Sequence, residues 1–151
     1  MKTEKPLIEA FFDEPTFTVS YLVGDPATRQ AVVIDPVLDY DPASGRADPR
    51  SADRILAAAE EGGWTVAMVL ETHAHADHLT AAPYIKARTG ARIGIGEHIR
   101  EVQQVFRPIF DMQDLKPDGG DFDRLFADGE RFTIGEMELE VLYTPGQTPA
   151  D

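Results

Sequence analysis

The sequence predicts an α/β fold, a mixed sheet covered by helices, and three observations carry that reading. Ala31-Val32-Val33-Ile34 and Val66-Ala67-Met68-Val69-Leu70 are short, uniformly apolar runs, the signature of buried strands. A helix-forming stretch, Ala52 to Glu61, stands between them and is closed by Gly62-Gly63. The alternation of strand and helix then repeats downstream, as expected of a sheet built from crossover units. With 151 residues the chain is long enough for one domain with a real core.

Each element has its own local reason. Phe17, Val19, Tyr21 and Val23 alternate with Thr18, Ser20 and Leu22, so a strand is expected whose apolar face carries the aromatic and Val residues. Asp25-Pro26 turns the chain into the buried strand 31–34, which runs into Asp35-Pro36. Asp35 reads locally as a helix or turn cap. Pro36, Pro42, Gly45 and Pro49 mark residues 36–50 as an irregular loop.

Ser51 is the expected N-cap of the helix 52–61, whose Ile55, Leu56 and Ala59 face the sheet. Trp64 opens the next strand. A helix is expected from Asp77 to Thr89, stopped by Gly90, with Asp77 near its N-terminus and Pro83 in an early turn. Arg92 to Gly96 reads as a strand, Glu97 to Phe106 as a helix, and residues 107–121 as a long loop. Phe106, Phe110 and Phe122 flank that loop, as core residues or as walls of a pocket. Arg131–Ile134 and Met137–Tyr143 form a hairpin around Gly135-Glu136, where Gly in first place suits a type II′ turn.

Composition narrows the partners. The net charge of −13 argues against nucleic-acid phosphates and anionic membrane surfaces. No apolar run reaches 18 residues, and residues 1–5 lead into no long apolar stretch, so neither a membrane span nor a signal peptide is expected. The absence of Cys is compatible with a cytoplasmic location and excludes thiolate metal sites.

Chemistry concentrates in Glu71-Thr72-His73-Ala74-His75-Ala76-Asp77-His78-Leu79. Three of the four histidines fall within six positions, directly behind a buried strand. A strand end is rigid and the loop after it can aim side chains. Without thiolates, imidazole and carboxylate are the donors that hold zinc, iron or manganese. His73 and His75 are two apart and point the same way in an extended segment, so they can grip one ion. Asp77 and His78 can face a second ion about 3.5–4 Å away, the usual two-metal spacing. His98, the lone histidine, reads as a helix-start or packing residue ahead of a ligand.

His73-Ala74-His75-Ala76-Asp77-His78 resembles the HxHxDH motif of the metallo-β-lactamase superfamily. The text through Leu79-Thr80-Ala81-Ala82-Pro83-Tyr84, then Ile93-Gly94-Ile95-Gly96-Glu97-His98-Ile99, Phe122-Asp123-Arg124-Leu125-Phe126 and Leu142-Tyr143-Thr144-Pro145-Gly146, is similar to its persulfide dioxygenase branch. That branch is related to glyoxalase II and includes bacterial forms associated with rhodaneses. The resemblance covers nearly the whole chain and places it at the N-terminal half of an αββα sandwich. It implies a metal site using His73, His75, Asp77 and His78, and Asp35 as a support behind it.

Three functional readings follow from the resemblance. In the first, ferrous iron serves oxidation of glutathione persulfide by molecular oxygen to sulfite; in that branch only His73 of the motif is an iron ligand. In the second, zinc ions held by all four motif residues serve cleavage of a glutathione-type thioester. Asp77 is the motif's carboxylate and the candidate catalytic residue. In the third, the chain is a truncated or degenerate half-domain without catalysis. Two departures favour the third: Gln147 stands in Thr144-Pro145-Gly146-Gln147-Thr148-Pro149 where the family has a His ligand, and the second half of the fold is missing by Asp151. An amide is a poor ligand for these metals. A half-sandwich leaves one sheet face without its partner layer, so the chain is expected to pair with a copy or a complementing chain, or to be part of a larger folded object. A rhodanese is a further expected partner by resemblance.

Overall fold

The computed structural model describes residues 4–73, 79–101, 122–146 and 151. Its centre is a six-stranded mixed sheet built from β1 (Leu7–Asp13), β2 (Thr18–Gly24), β3 (Gln30–Ile34), β6 (Thr65–Leu70), β8 (Arg92–Gly96) and β9 (Arg124–Phe126), in the order β1-β2-β3-β6-β8-β9. The pairs β1–β2 and β2–β3 are antiparallel. The pairs β3–β6, β6–β8 and β8–β9 are parallel. Parallel neighbours end on one edge, so the C-termini of β3, β6 and β8 come together there. Ligands of open α/β sheets bind outside such an edge.

Two helices cover one face. Helix α1 (Arg50–Glu61) buries Ala52, Ile55 and Ala59, and α2 (Ala82–Thr89) buries Ala82 and Ile85. They pack with Leu22, Ala31, Val33, Val66, Val69 and Ile93 into the main core. The other face carries Val32, Met68 and Phe126. It is covered by a separate two-stranded sheet, β10 (Arg131–Ile134) with β11 (Met137–Glu140), through Phe132 and Ile134. The strands expected at 31–34, 92–96 and in the last hairpin are present. Gly135 has φ +60°, and a Cβ there would collide with Thr28 and Asp25, so both conformation and space call for glycine.

Three expectations are corrected. Residues 36–50 are not irregular: β4 (Val37–Asp41) and β5 (Arg46–Asp48) pair as a hairpin, and Pro42 and Gly45 sit in its turn. Helix α1 has Pro49 rather than Ser51 at its N-cap; Ser51 lies inside and donates from N–H and Oγ to Asp39 at 2.8 and 2.7 Å, so a carboxylate from β4 serves the helix start. Leu79–Thr80 form a short strand, β7, paired with β4, and α2 begins only at Ala82, with Pro83 in its first positions. The expected start of that helix at Asp77 lies outside the described residues. The expected helix 97–106 is seen as helical residues 99–101; its remainder, with Phe106, Phe110 and the loop 107–121, lies outside the described residues.

The strand expected with one apolar face is β2, and that face is the open one. Ser20, Leu22 and Gly24 point to the helices and are buried, whereas Phe17, just ahead of the strand, is 80% exposed, Val19 36% and Tyr21 37%. Opposite Val23, Tyr21 and Val19 stand Ile8, Ala10 and Phe12 of β1. Ile8 is 62% and Phe12 56% exposed, and the rings of Phe12 and Phe17 are 6.5 Å apart. The β10–β11 hairpin packs as far as Val23, and among the described residues no other element is recorded against the rest of this face.

Asp25 ties that hairpin down. Its carboxylate accepts from Ala27 N–H, Thr28 Oγ and Glu136 N–H at 3.1, 2.7 and 2.8 Å. The Glu136 amide first, and the Thr28 hydroxyl next, hold the carboxyl below its ordinary value of 3.8. A lowered folded value stabilises the fold fully above the unfolded value, and that stability drains away as pH falls through the folded value. Asp25→Asn is therefore expected to flatten part of the acid limb. Urea midpoints measured as pH falls below 3.8 will converge for wild type and variant, having differed most above it.

Candidate metal centre

Residues 71–73 leave the C-terminal end of β6 on the edge shared with β3. The Glu71 N–H donates to Gly94 O at 2.9 Å, and the Asp35 N–H to Leu70 O at 3.0 Å, which extends the sheet by one residue on each side. Glu71 is buried, and Thr80 Oγ1 donates to its carboxylate. This bond joins the two described ends of the segment that carries the histidines.

Asp35 holds the other side. It is buried and sits at φ +52°. Non-glycine residues adopt this region rarely, and Asp is among those that tolerate it. Its backbone carbonyl accepts from Ser20 Oγ at 2.7 Å. Its carboxylate accepts from Thr72 N–H at 2.8 Å and from Thr72 Oγ1 at 2.6 Å. Of its two expected roles, the structure thus gives the support of the strand end. Thr72 Oγ1 in turn lies 2.8 Å from His73 Nδ1. A carboxylate, a hydroxyl and an imidazole therefore form a chain of contacts from β3 to the first histidine.

His73 opens on a cleft of about 550 Å³ between the sheet edge and the β10–β11 hairpin. Phe126 and Phe132 form its apolar wall, stacked at 4.5 Å between ring centres. The Arg124 guanidinium lies 4.6 Å from the Phe126 ring and pairs with Glu130 at 2.7 Å. Gly94 permits this packing, since a Cβ there would stand 2.6 Å from Phe126. Across the cleft, Tyr143 stacks on His98 at 3.8 Å, and the Tyr143 N–H donates to Asp128 at 2.8 Å. An apolar pocket with a few convergent polar groups is the usual form of a small-molecule site.

His98 thus lines the same cleft as His73. Its Nδ1 lies 3.0 Å from Glu101, and its ring is stacked, in keeping with a packing role. Phe122 is no wall of the cleft; it packs into the core. The wall residues Phe126, Phe132 and Tyr143 carry no signal in a single sequence beyond being aromatic. Thr72 carries no signal of its own either; the parallel pairing of β3 and β6 is what brings Asp35 and Thr72 to one edge.

Of the four expected ligands, His73 is described, and His75, Asp77 and His78 lie outside the described residues, as does Gln147. Among the described residues no group of three His, Cys, Asp or Glu converges as a metal site. The donor chemistry still fits a cation: a metal-binding histidine usually has its other ring nitrogen engaged by a fixed polar group, and here the Thr72 hydroxyl, itself bonded to the buried Asp35 carboxylate, lies against His73 Nδ1. No described helix is long and apolar enough to cross a membrane.

Comparison with known proteins agrees with this geometry. The chain is 44% identical over 147 residues to a beta-lactamase hydrolase-like protein of Xylella fastidiosa, covering 97% of this chain and 34% of that protein. It is 34% identical over 129 residues to a hydroxyacylglutathione hydrolase of Rhodospirillum rubrum, covering 85% and 39%. It is 29% identical over 143 residues to the mitochondrial persulfide dioxygenase of Homo sapiens, covering 95% and 45%. Among solved structures, that of ETHE1 from Myxococcus xanthus superposes with a TM-score of 0.73 at 30% identity, over 95% of this chain and 51% of that one. The chain spans about a third to a half of the length of these relatives. Residues 13–151 match the family model described as the metallo-beta-lactamase superfamily. The mixed sheet with its helices on one face, and a histidine delivered at its parallel edge, are what that match leads one to expect, and the chain belongs to the metallo-β-lactamase superfamily.

Proposed function

We propose that this chain carries the metal-binding edge of a metal-dependent enzyme acting on a small glutathione-type thiol derivative. The observation that carries the reading is the placement of His73: held through Thr72 by the buried Asp35, it faces a cleft walled by Phe126 and Phe132. His73 would hold a ferrous iron with His75, Asp77 and His78 around it, or all four residues would hold zinc ions; the metal would supply Lewis-acid activation and, if iron, redox chemistry with oxygen. The residues in view do the rest. Asp35 and Thr72 orient the first imidazole, Glu71 and Thr80 fasten the ends of the ligand segment, and the aromatic wall excludes water from one side of the cleft.

Within this class the leading reading is oxidation of glutathione persulfide. One persulfide, one oxygen molecule and one water give glutathione, sulfite and two protons, so the outer sulfur is oxidised and oxygen reduced. The sequence likeness to the dioxygenase branch and the named human relative support it. The second reading, zinc-dependent thioester hydrolysis, is supported by the named hydroxyacylglutathione hydrolase. Under both, the 151 residues form the first layer set of a longer sandwich, and the open face of β1 and β2 takes its second β-layer. That occupant is favoured because the β10–β11 hairpin already lies on the same face and stops at Val23.

The readings separate in one experiment. Protein loaded anaerobically with Fe²⁺ or with Zn²⁺ is assayed for persulfide-dependent oxygen uptake and for thioester cleavage. Iron-dependent oxygen uptake is the expected result. Zinc-dependent cleavage without oxygen uptake would transfer the assignment to the hydrolase. Neither activity, with or without a supplied second half, would leave a non-catalytic half-domain.

A further inference from the structure

The end of β8 delivers a second histidine to the edge that carries His73. Strands β3, β6 and β8 run parallel, and His98 follows closely on the last residue of β8, Gly96. Groups just beyond such strand ends are the ones that meet a ligand. His73 and His98 both line the cleft. The turn that holds His98 is fixed: the Glu97 N–H donates to Phe126 O at 2.8 Å, the Glu101 N–H donates to His98 O at 3.0 Å, and Ile99 is buried with Ile95. The ring itself is held on two sides. Tyr143 stacks on its face at 3.8 Å, and Glu101 Oε1 lies 3.0 Å from Nδ1. Nε2 has no protein partner among the described residues, and 28% of the side-chain surface is open.

Charge singles out this ring. The other ionisable side chains on the described cleft wall are Glu71, His73, Asp128, Glu140, Tyr143 and Asp151. Carboxyls and a phenol offer no cation, and His73 is the proposed metal ligand. His98 is therefore the remaining described lining side chain that can carry a positive charge. Two of the carboxylates are engaged elsewhere: Asp128 accepts the Tyr143 N–H at 2.8 Å, and Glu140 lies 3.8 Å from Arg131. As an imidazolium the ring donates from both nitrogens, Nδ1 toward Glu101 and Nε2 toward a molecule in the cleft. We infer that His98 is a substrate-binding residue whose Nε2 donates to a carboxylate of the molecule seated in the cleft. Glutathione-type thiol derivatives carry such carboxylates, and a charge-assisted hydrogen bond beside an aromatic wall is stronger than one in open water. The identity of the molecule rests on the function proposed above; the anion contact rests on the charge pattern of the cleft. Because an anion at Nε2 favours the charged ring, the charged ring equally favours the anion. Binding is therefore tightest with His98 protonated and weakens as rising pH removes that proton.

Titration calorimetry of the metal-free chain with S-methylglutathione, whose blocked sulfur cannot be oxidised, tests the contact across the histidine range of about pH 5 to 8. Wild-type affinity is expected to fall as pH rises. His98→Gln is expected to weaken binding at the low end of the range roughly tenfold or more, and to flatten the pH profile. His98→Lys, charged throughout, is expected to bind without that fall, which a ring needed only for packing would not allow. The diethyl ester of S-methylglutathione, which lacks the carboxylates, is expected to bind wild type and His98→Gln alike. Equal affinity of S-methylglutathione for wild type and folded His98→Gln would overturn the inference. So would a pH profile that survives unchanged in His98→Gln or His98→Lys, or a wild-type chain that binds neither S-methylglutathione nor glutarate. Glutarate bound in the same His98-dependent way, with S-methylglutathione unbound, would uphold the anion contact and sink the glutathione reading instead.

Discussion

In sedimentation the 151-residue chain alone is expected to self-associate, and Phe12→Asp combined with Val19→Asp to suppress that association without unfolding the chain. The cause is the open sheet face. Ile8, Phe12, Val19 and Tyr21 form one contiguous surface across the β1–β2 pair, and their exposures run from 36% to 62%. Contiguous apolar patches on soluble chains mark places where something docks. Between about a third and three-fifths of each side chain is still to be covered, worth roughly 0.5–2 kcal/mol apiece. Supplying a second β-layer is expected to cover them, and the double Asp variant would then destabilise the combined fold by several kcal/mol, on the order expected for unpaired buried charge. A monodisperse, monomeric wild-type chain that unfolds cooperatively would contradict this account.

Gln147→His is expected to raise metal affinity roughly tenfold or more, because it exchanges an amide for an imidazole at a position where the family carries a ligand. Competition with a chromophoric chelator measures it. Gln147 follows Thr144-Pro145-Gly146, and Tyr143 and Thr144 line the His73 cleft. An unchanged affinity would mean that position 147 does not serve this ion.

The parallel half of the sheet was legible because its strands are buried on both faces. Such strands are written as continuous apolar runs, as in Ala31–Ile34 and Val66–Leu70, and they read clearly. The antiparallel half was harder. In β2 the aromatic and Val residues mark the exposed face, while Ser20 and Gly24 lie on the helix side, where Ser20 serves Asp35 and Gly24 makes room for Trp64. A hydrophobic pattern reports which face is apolar, not which is covered within these residues. The β4–β5 hairpin was hidden for a different reason. Pro42 and Gly45 punctuate a turn between two short strands as readily as a loop. At the site, the spacing of the histidines exposed the donor chemistry at once. The Asp35–Thr72 connection needed the knowledge that β3 and β6 are parallel neighbours, which pairing alone supplies.

The edge following β6 is proposed to bind a metal through His73, and elemental analysis after anaerobic purification, with His73→Ala prepared identically, tests this. Metal, iron before zinc, is expected in the wild-type chain and its loss in the variant. Equal metal content in the two proteins, or none in either, would contradict it.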